Sequence, residues 1–203
     1  MEEGLDKLLV WYTSDAAQLA RKMANFLTEE RSPAVTGTLY FIDAMDRFPL
    51  TEFQKALPHE GHSQIYDNVR IMTCLDMEEL AAMVAKISQS TQRARVAHTK
   101  DASIAATRTL LVLRGLDVIF RNSMLRDASL AHRLLKDVML RLRIVANTTS
   151  DFRTIALFPS NEASEIAGNL NEKPLRKKPK LSLGQGNSLS HYLSKFYADR
   201  TLV

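Results

Sequence analysis

Five basic side chains, Lys173, Arg176, Lys177, Lys178 and Lys180, fall within eight residues that contain no acid. Lysine and arginine crowded on a loop suit a phosphate backbone, because each contact releases a condensed counterion and needs no rigid register. Two other readings stand beside this one. Lys177-Lys178-Pro179-Lys180 has the composition of a nuclear localisation signal, and a charged loop can simply be solvated. The whole chain carries a net charge of +4, yet without those five residues 22 basic side chains face 23 acidic ones, a net of −1. All of the positive excess is therefore local. Arg121, Arg126 and Arg133 either extend the patch or are helix-surface charges.

A second group of residues would carry nucleotide chemistry if its types were different. The apolar run Leu110-Leu111-Val112-Leu113 stops at Arg114-Gly115. Open α/β folds bind ligands at such strand ends. A nucleotide hydrolase needs a carboxylate there for magnesium, whereas a guanidinium repels the metal. The loop Thr13-Ser14-Asp15-Ala16-Ala17 follows another strand and has neither glycine nor lysine, the residues that cradle and pair a phosphate. Asp43 and Asp46 could hold a metal, but the reading adopted is that Asp43 caps a turn and Asp46 is solvated. Phe48, between Arg47 and Pro49, is either a partner anchor or a lid on the core. His59 and His62 lack a third ligand, and Cys74 reads as a small buried apolar residue. Neither a metal nor a cofactor is expected.

The elements that position these residues alternate. Leu8–Tyr12 reads as a buried strand, and Ala17, Leu19, Ala20, Met23, Ala24 and Leu27 follow at helical spacing. Residues 38–42 and 69–73 read as strands. Asp76 with Glu79 resembles a capping box, opening a helix with Leu80, Met83, Val84 and Ile87 on one face. Residues 88–103 are polar and read as a mobile loop. After the strand at 109–113, Ser129 opens a helix whose stripe is Leu130, Leu134, Val138, Leu142 and Val145. A strand over 153–158 and a polar, flexible loop over 160–186 precede an aromatic tail that docks on the core. The pattern predicts an α/β fold with a mostly parallel sheet flanked by helices, as one domain over residues 1–203. No stretch approaches the ~18 apolar residues of a membrane span. The acidic start, Met1-Glu2-Glu3-Gly4, fits neither a secretory signal nor a transit peptide. One cysteine, Cys74, allows no internal disulfide, so a reducing cytosol or nucleus is expected.

From about residue 8 to 200 the order of elements resembles the core of RecA-type recombinases and their eukaryotic paralogues. Tyr40 to Phe48 resembles the segment Tyr-Ile-Asp-Thr-Glu-Gly-Thr-Phe, whose glutamate activates the attacking water; Met45 stands in its place. Arg114 stands where that family has its magnesium-site aspartate. The 13–17 loop stands where it has its phosphate loop. The resemblance thus implies a RecA-like core with a degenerate nucleotide site and no ATP hydrolysis. Residues after 120 fall in the place of the first DNA-binding loop and residues 160–186 in that of the second, with Gly186-Asn187 similar to its closing Gly-Gly-Asn.

Phe41-Ile42-Asp43-Ala44, Phe48-Pro49-Leu50, Thr73-Cys74-Leu75-Asp76, Phe120-Arg121-Asn122-Ser123 and Tyr197-Ala198-Asp199 are closer still to the chromosome segregation in meiosis subunits of the budding-yeast Shu complex. That resemblance implies a nuclear, non-catalytic recombinase paralogue that pairs with the Psy subunit. The pair would bind single-stranded or forked DNA. With the other Shu subunits it would help the strand-exchange recombinase assemble filaments in error-free repair and damage tolerance. A structural scaffold whose basic loop is only a nuclear signal is the alternative, and a cryptic nucleotide-binding enzyme the remaining rival.

Overall fold

The computed structural model describes residues 7–29, 35–101, 103–149, 151–162 and 188–203. The elements run β1 Leu8–Tyr12, α1 Ala16–Thr28, β2 Val35–Asp43, α2 Leu50–Ala56, α3 Ser63–Tyr66, β3 Val69–Thr73 and α4 Met77–Lys100. They continue with β4 Ala106–Arg114, α5 Leu116–Met124, α6 Ala128–Thr148, β5 Phe152–Phe158, α7 Leu189–Phe196 and β6 Arg200–Leu202. Six strands form one sheet in the order β3-β2-β4-β5-β1-β6, and every pairing is parallel. This is the α/β architecture of a RecA-like core.

Parallel strands joined by helices are covered on both faces, which is why their sequences read as unbroken apolar runs. On one face α1 and α2 pack Leu19, Met23 and Phe53 against Trp11, Phe41 and Val112. On the other, α4, α5, α6 and α7 pack Val84, Ile119, Val138 and Leu193 against Val10, Ile42 and Leu111. Adjacent residues such as Phe41 and Ile42 thus feed opposite layers. The edge strands are the exception, with Ile71 of β3 and Arg200 and Thr201 of β6 exposed.

Local signals set the helix starts. The side chains of Asp15, Asp76, Asp127 and Ser188 each accept backbone N–H groups at the N-termini of α1, α4, α6 and α7. Glu79 completes the box in outline, its Oε2 accepting the Leu75 N–H at 2.8 Å. The tail docks as expected: Asp199 Oδ2 accepts the Leu8 N–H at 2.9 Å, and the Asp199 N–H returns to the Leu8 carbonyl at 2.8 Å. Tyr197 lies buried behind this latch, and burial lifts its phenol to about 12.

Two expectations are corrected. Residues 88–100 are not a loop but the last half of α4. The buried stripe of Leu80, Val84 and Ile87 goes on through Ser88 and Thr91, whose polarity hid the period. The Thr91 hydroxyl donates to the Ile87 carbonyl, and Arg95 holds the Thr148 carbonyl at the end of α6. The stripe of α6 is also displaced. Leu130 and Leu134 are only half-buried, while Ala131, Leu135 and Met139 join Val138, Leu142 and Val145 in the core.

One buried cation organises the end of α1. Arg108 is 3% exposed and donates to Glu29 Oε2 (2.8 Å), the Phe26 carbonyl (2.7 Å) and the Glu29 carbonyl (2.8 Å). Carbonyls at a helix C-terminus lack intrahelical donors, so a guanidinium there satisfies them and opposes the helix dipole.

Candidate nucleic-acid interface and degenerate nucleotide site

The loops after β1, β2, β4 and β5 meet at the carboxyl edge of the sheet, where a doubly wound fold carries its ligands. The loop after β1 is occupied by the chain itself. Asp15 Oδ1 accepts the N–H groups of Ala17 (2.8 Å) and Gln18 (3.1 Å) at the start of α1. Those are the donors a phosphate would use at a helix N-terminus. Ser14 Oγ lies 2.8 Å from Ser160 Oγ, and the Thr13 N–H donates to the Phe158 carbonyl at 2.9 Å, pinning the loop to the end of β5.

The ends of β2 and β4 form a second self-contained knot. Asp43 and Arg114 are register partners. Arg114 Nη1 donates to the Arg47 carbonyl at 2.7 Å. The Arg47 N–H donates to Asp43 Oδ2 at 2.6 Å, with Arg47 Nε 3.7 Å from the same oxygen. Asp43 is therefore the turn cap expected of it. Its other oxygen, Oδ1, is buried without a hydrogen-bond partner. Burial, aided by the nearby Arg47, pulls the Arg114 pKa below its ordinary value, and Asp43 opposes the shift. An arginine remains a cation through such a change, so a fixed positive charge stands where a hydrolase would hold its metal.

Gly115 follows with φ of 70°, and a Cβ there would lie 3.0 Å from the Ala44 Cβ and 3.2 Å from Asp43 Oδ1. Only glycine combines the left-handed turn with this close approach. Met45, at the place of the water-activating glutamate, is 56% exposed. Among the described residues no three metal-capable side chains come together. Cys74 is buried, donates to the Asp76 carbonyl at 3.3 Å, and has its thiol pushed up to about 12 by burial.

The expected interface residues are distributed over several elements. Phe48 is half-buried and packs edge-on against Phe41 and Phe53, with ring centroids 5.1 and 5.3 Å away. It closes the core beneath the β2–α2 loop and keeps one side toward solvent, beside the exposed Met45 and Leu50. Arg121 is exposed in the last turn of α5. Arg126 Nη1 sits 3.0 Å from Asp76 Oδ2, the cap of α4, so a phosphate would compete with that carboxylate. Arg133 is exposed on α6. Lys173, Arg176, Lys177, Lys178 and Lys180, with most of the 160–186 loop, lie outside the described residues.

Asn122 and Ser123 have a local reason for their identity. Asn122 Nδ2 donates to the Leu75 carbonyl at 2.9 Å, and Ser123 Oγ accepts the Met77 N–H at 2.8 Å. Together they fasten α5 to the start of α4. Sequence reading missed the cations Arg21, Lys22, Arg153 and Arg200, which gather on the α1 face of the sheet. They come from three elements, and no spacing in the chain links them.

Comparison with known families decides what this arrangement belongs to. Residues 8–198 match the family described as Shu complex component Csm2, DNA-binding. The chain belongs to the Csm2 family. Curated members similar to it are named chromosome segregation in meiosis protein 2. The one from Saccharomyces cerevisiae is 32% identical over 97% of each chain. That from Candida glabrata is 30% identical over 97% of this chain and 95% of its own. That from Eremothecium gossypii is 32% identical over 78% and 82%. Membership spans nearly the whole fold, including the Asp15 loop and the Arg114 knot.

Proposed function

We propose that this Csm2-family chain is a non-catalytic, DNA-binding subunit of a nuclear recombination mediator. The observation that carries the reading is the joint one of family membership and a nucleotide corner filled by Asp15 and by the Asp43–Arg47–Arg114 knot. A core so arranged acts as a scaffold that needs no ATP. The basic run at 173–180 supplies phosphate contacts to single-stranded or forked DNA, with Arg121 as an exposed extension and Arg126 as one gated by Asp76. Phe48, Met45 and Leu50 support a docking face for the second recombinase paralogue, the Psy subunit. With the other Shu subunits, the pair would favour recombinase filament assembly.

The test is a DNA titration of the complex co-purified with its paralogue, at several salt concentrations. Replacing Arg176, Lys177, Lys178 and Lys180 with Ala should weaken binding. It should also flatten the log–log salt slope by about 0.7–0.9 for every phosphate that is no longer neutralised. An unchanged slope rejects the loop assignment. The scaffold alternative predicts that this variant keeps its DNA affinity and leaves the nucleus, which microscopy of a tagged chain would show.

A further inference from the structure

Along one flank of α1 no described residue covers the sheet. Strands β5, β1 and β6 floor an open groove of about 590 Å³ there, a volume in the range of ligand-binding clefts. Trp11, Ile155 and Leu202 give the floor its apolar character. Arg21 and Lys22 line one wall from α1, and Arg153 and Arg200 rise from the ends of β5 and β6. Glu29 is the only acid among the described lining residues, and Arg108 already holds it. Lys22 lies over the Trp11 ring at 5.7 Å, and Arg21 and Arg153 make no ion pair among the described residues. The outer wall is the edge strand β6, paired with β1 in the described sheet.

We infer that this groove docks an extended acidic segment of a partner protein, one that alternates Asp or Glu with apolar side chains. Three features select that occupant. The cationic rim asks for negative charge. The apolar floor asks for aliphatic or aromatic side chains between the charges, which a phosphate backbone does not offer. Among the described strands β6 is the edge of the sheet, and an edge can take an added strand, the recognition mode in which alternate side chains fill pockets. A nucleic acid fits less well, because its bases need exposed aromatic faces to stack on. Trp11 and Phe26 are each only 8% exposed. None of the described residues that line the groove belongs to the basic run at 173–180.

A random peptide library displayed against the full chain, in complex with its paralogue, tests it. Enriched peptides should combine acidic and apolar residues. In fluorescence anisotropy the best of them should lose affinity roughly tenfold with Arg21→Glu plus Arg153→Glu, the scale expected when a close charge pair is removed. If the double variant does not fold, Arg21→Glu alone decides, since Arg21 lies exposed on α1. Acidic-peptide docking is overturned if no peptide is enriched, if the enriched set has no acidic bias, or if the variants bind it unchanged. It also falls if a single-stranded oligonucleotide displaces the peptide and is itself weakened by Arg21→Glu, because the groove would then be a nucleic-acid site.

Discussion

The carboxyl edge of the sheet and the groove beside α1 contain similar side chains in opposite conditions. At the edge, Asp15 caps its own helix, Asp43 Oδ2 accepts the Arg47 N–H, and Arg114 donates to the Arg47 carbonyl, which leaves Asp43 Oδ1 as the one side-chain oxygen of this knot without a partner. In the groove, Arg21 and Arg153 face solvent over an apolar floor without a carboxylate partner among the described residues. Charge alone therefore does not mark a ligand site. What separates the two regions is whether the fold has already engaged its charged side chains. The place where an ATPase would work is the place this chain has closed.

The contrast can be broken most severely at Arg108. Arg108→Ala removes three hydrogen bonds from the end of α1, beneath the groove, and should cost about 3 kcal/mol in urea unfolding, the scale of breaking a buried ionic network. Opening the closed corner should cost less. Gly115→Ala forces a left-handed alanine against Ala44, and a destabilisation of about 1–3 kcal/mol is expected from the same measurement. Asp15→Ala should lower stability by about 1 kcal/mol through removal of the cap. It frees the N–H groups of α1 but supplies no lysine, so calorimetry with ATP should stay flat. Heat of binding there would mean that Asp15 alone had been blocking a competent site.

The effect that is smallest at neutral pH, and that grows above pH 9.0, is a pH dependence at Cys74. Its thiol titrates near 9.0 when exposed and near 12 when folded. The folded state then holds the proton more tightly, so burial of the neutral thiol stabilises the fold below pH 9.0 and that contribution fades as pH rises toward 12. Urea titrations on either side of pH 9.0 should show a steeper fall in stability for the native chain than for Cys74→Ala. Equal falls would mean that the buried tyrosine Tyr197, shifted in the same direction, accounts for the alkaline transition.

Strands β1, β2, β4 and β5 were legible because burial on both faces leaves a continuous apolar signature. The phase of α6 was not, because Leu134 and Leu135 adjoin and either could begin the stripe; packing against α4 and α5 chooses Leu135. The far half of α4 was hidden because its inward residues, Ser88 and Thr91, are small hydroxyl side chains, and the Thr91 hydroxyl donates back to its own helix. At the nucleotide corner, the types of Asp15, Met45 and Arg114 announced a loss of chemistry. They could not reveal that Arg114 reaches the Arg47 carbonyl, which depends on a register set by β2 and β4 across 67 residues of sequence separation. The groove was invisible for the same reason, since Arg21, Arg153 and Arg200 are joined only by the sheet order.

That order also sets a timetable for synthesis. β1 lies between β5 and β6, and its first hydrogen bond to Asp199 closes a separation of 191 residues. At the usual elongation rate of about 5–20 residues per second, an emerging β1 waits roughly ten to forty seconds for its neighbours. Until β5 has been made, the sequence Leu8-Leu9-Val10-Trp11-Tyr12 has no native strand beside it, and its second side stays open until β6 follows. The first of the described strands is thus among the last to be enclosed on both sides.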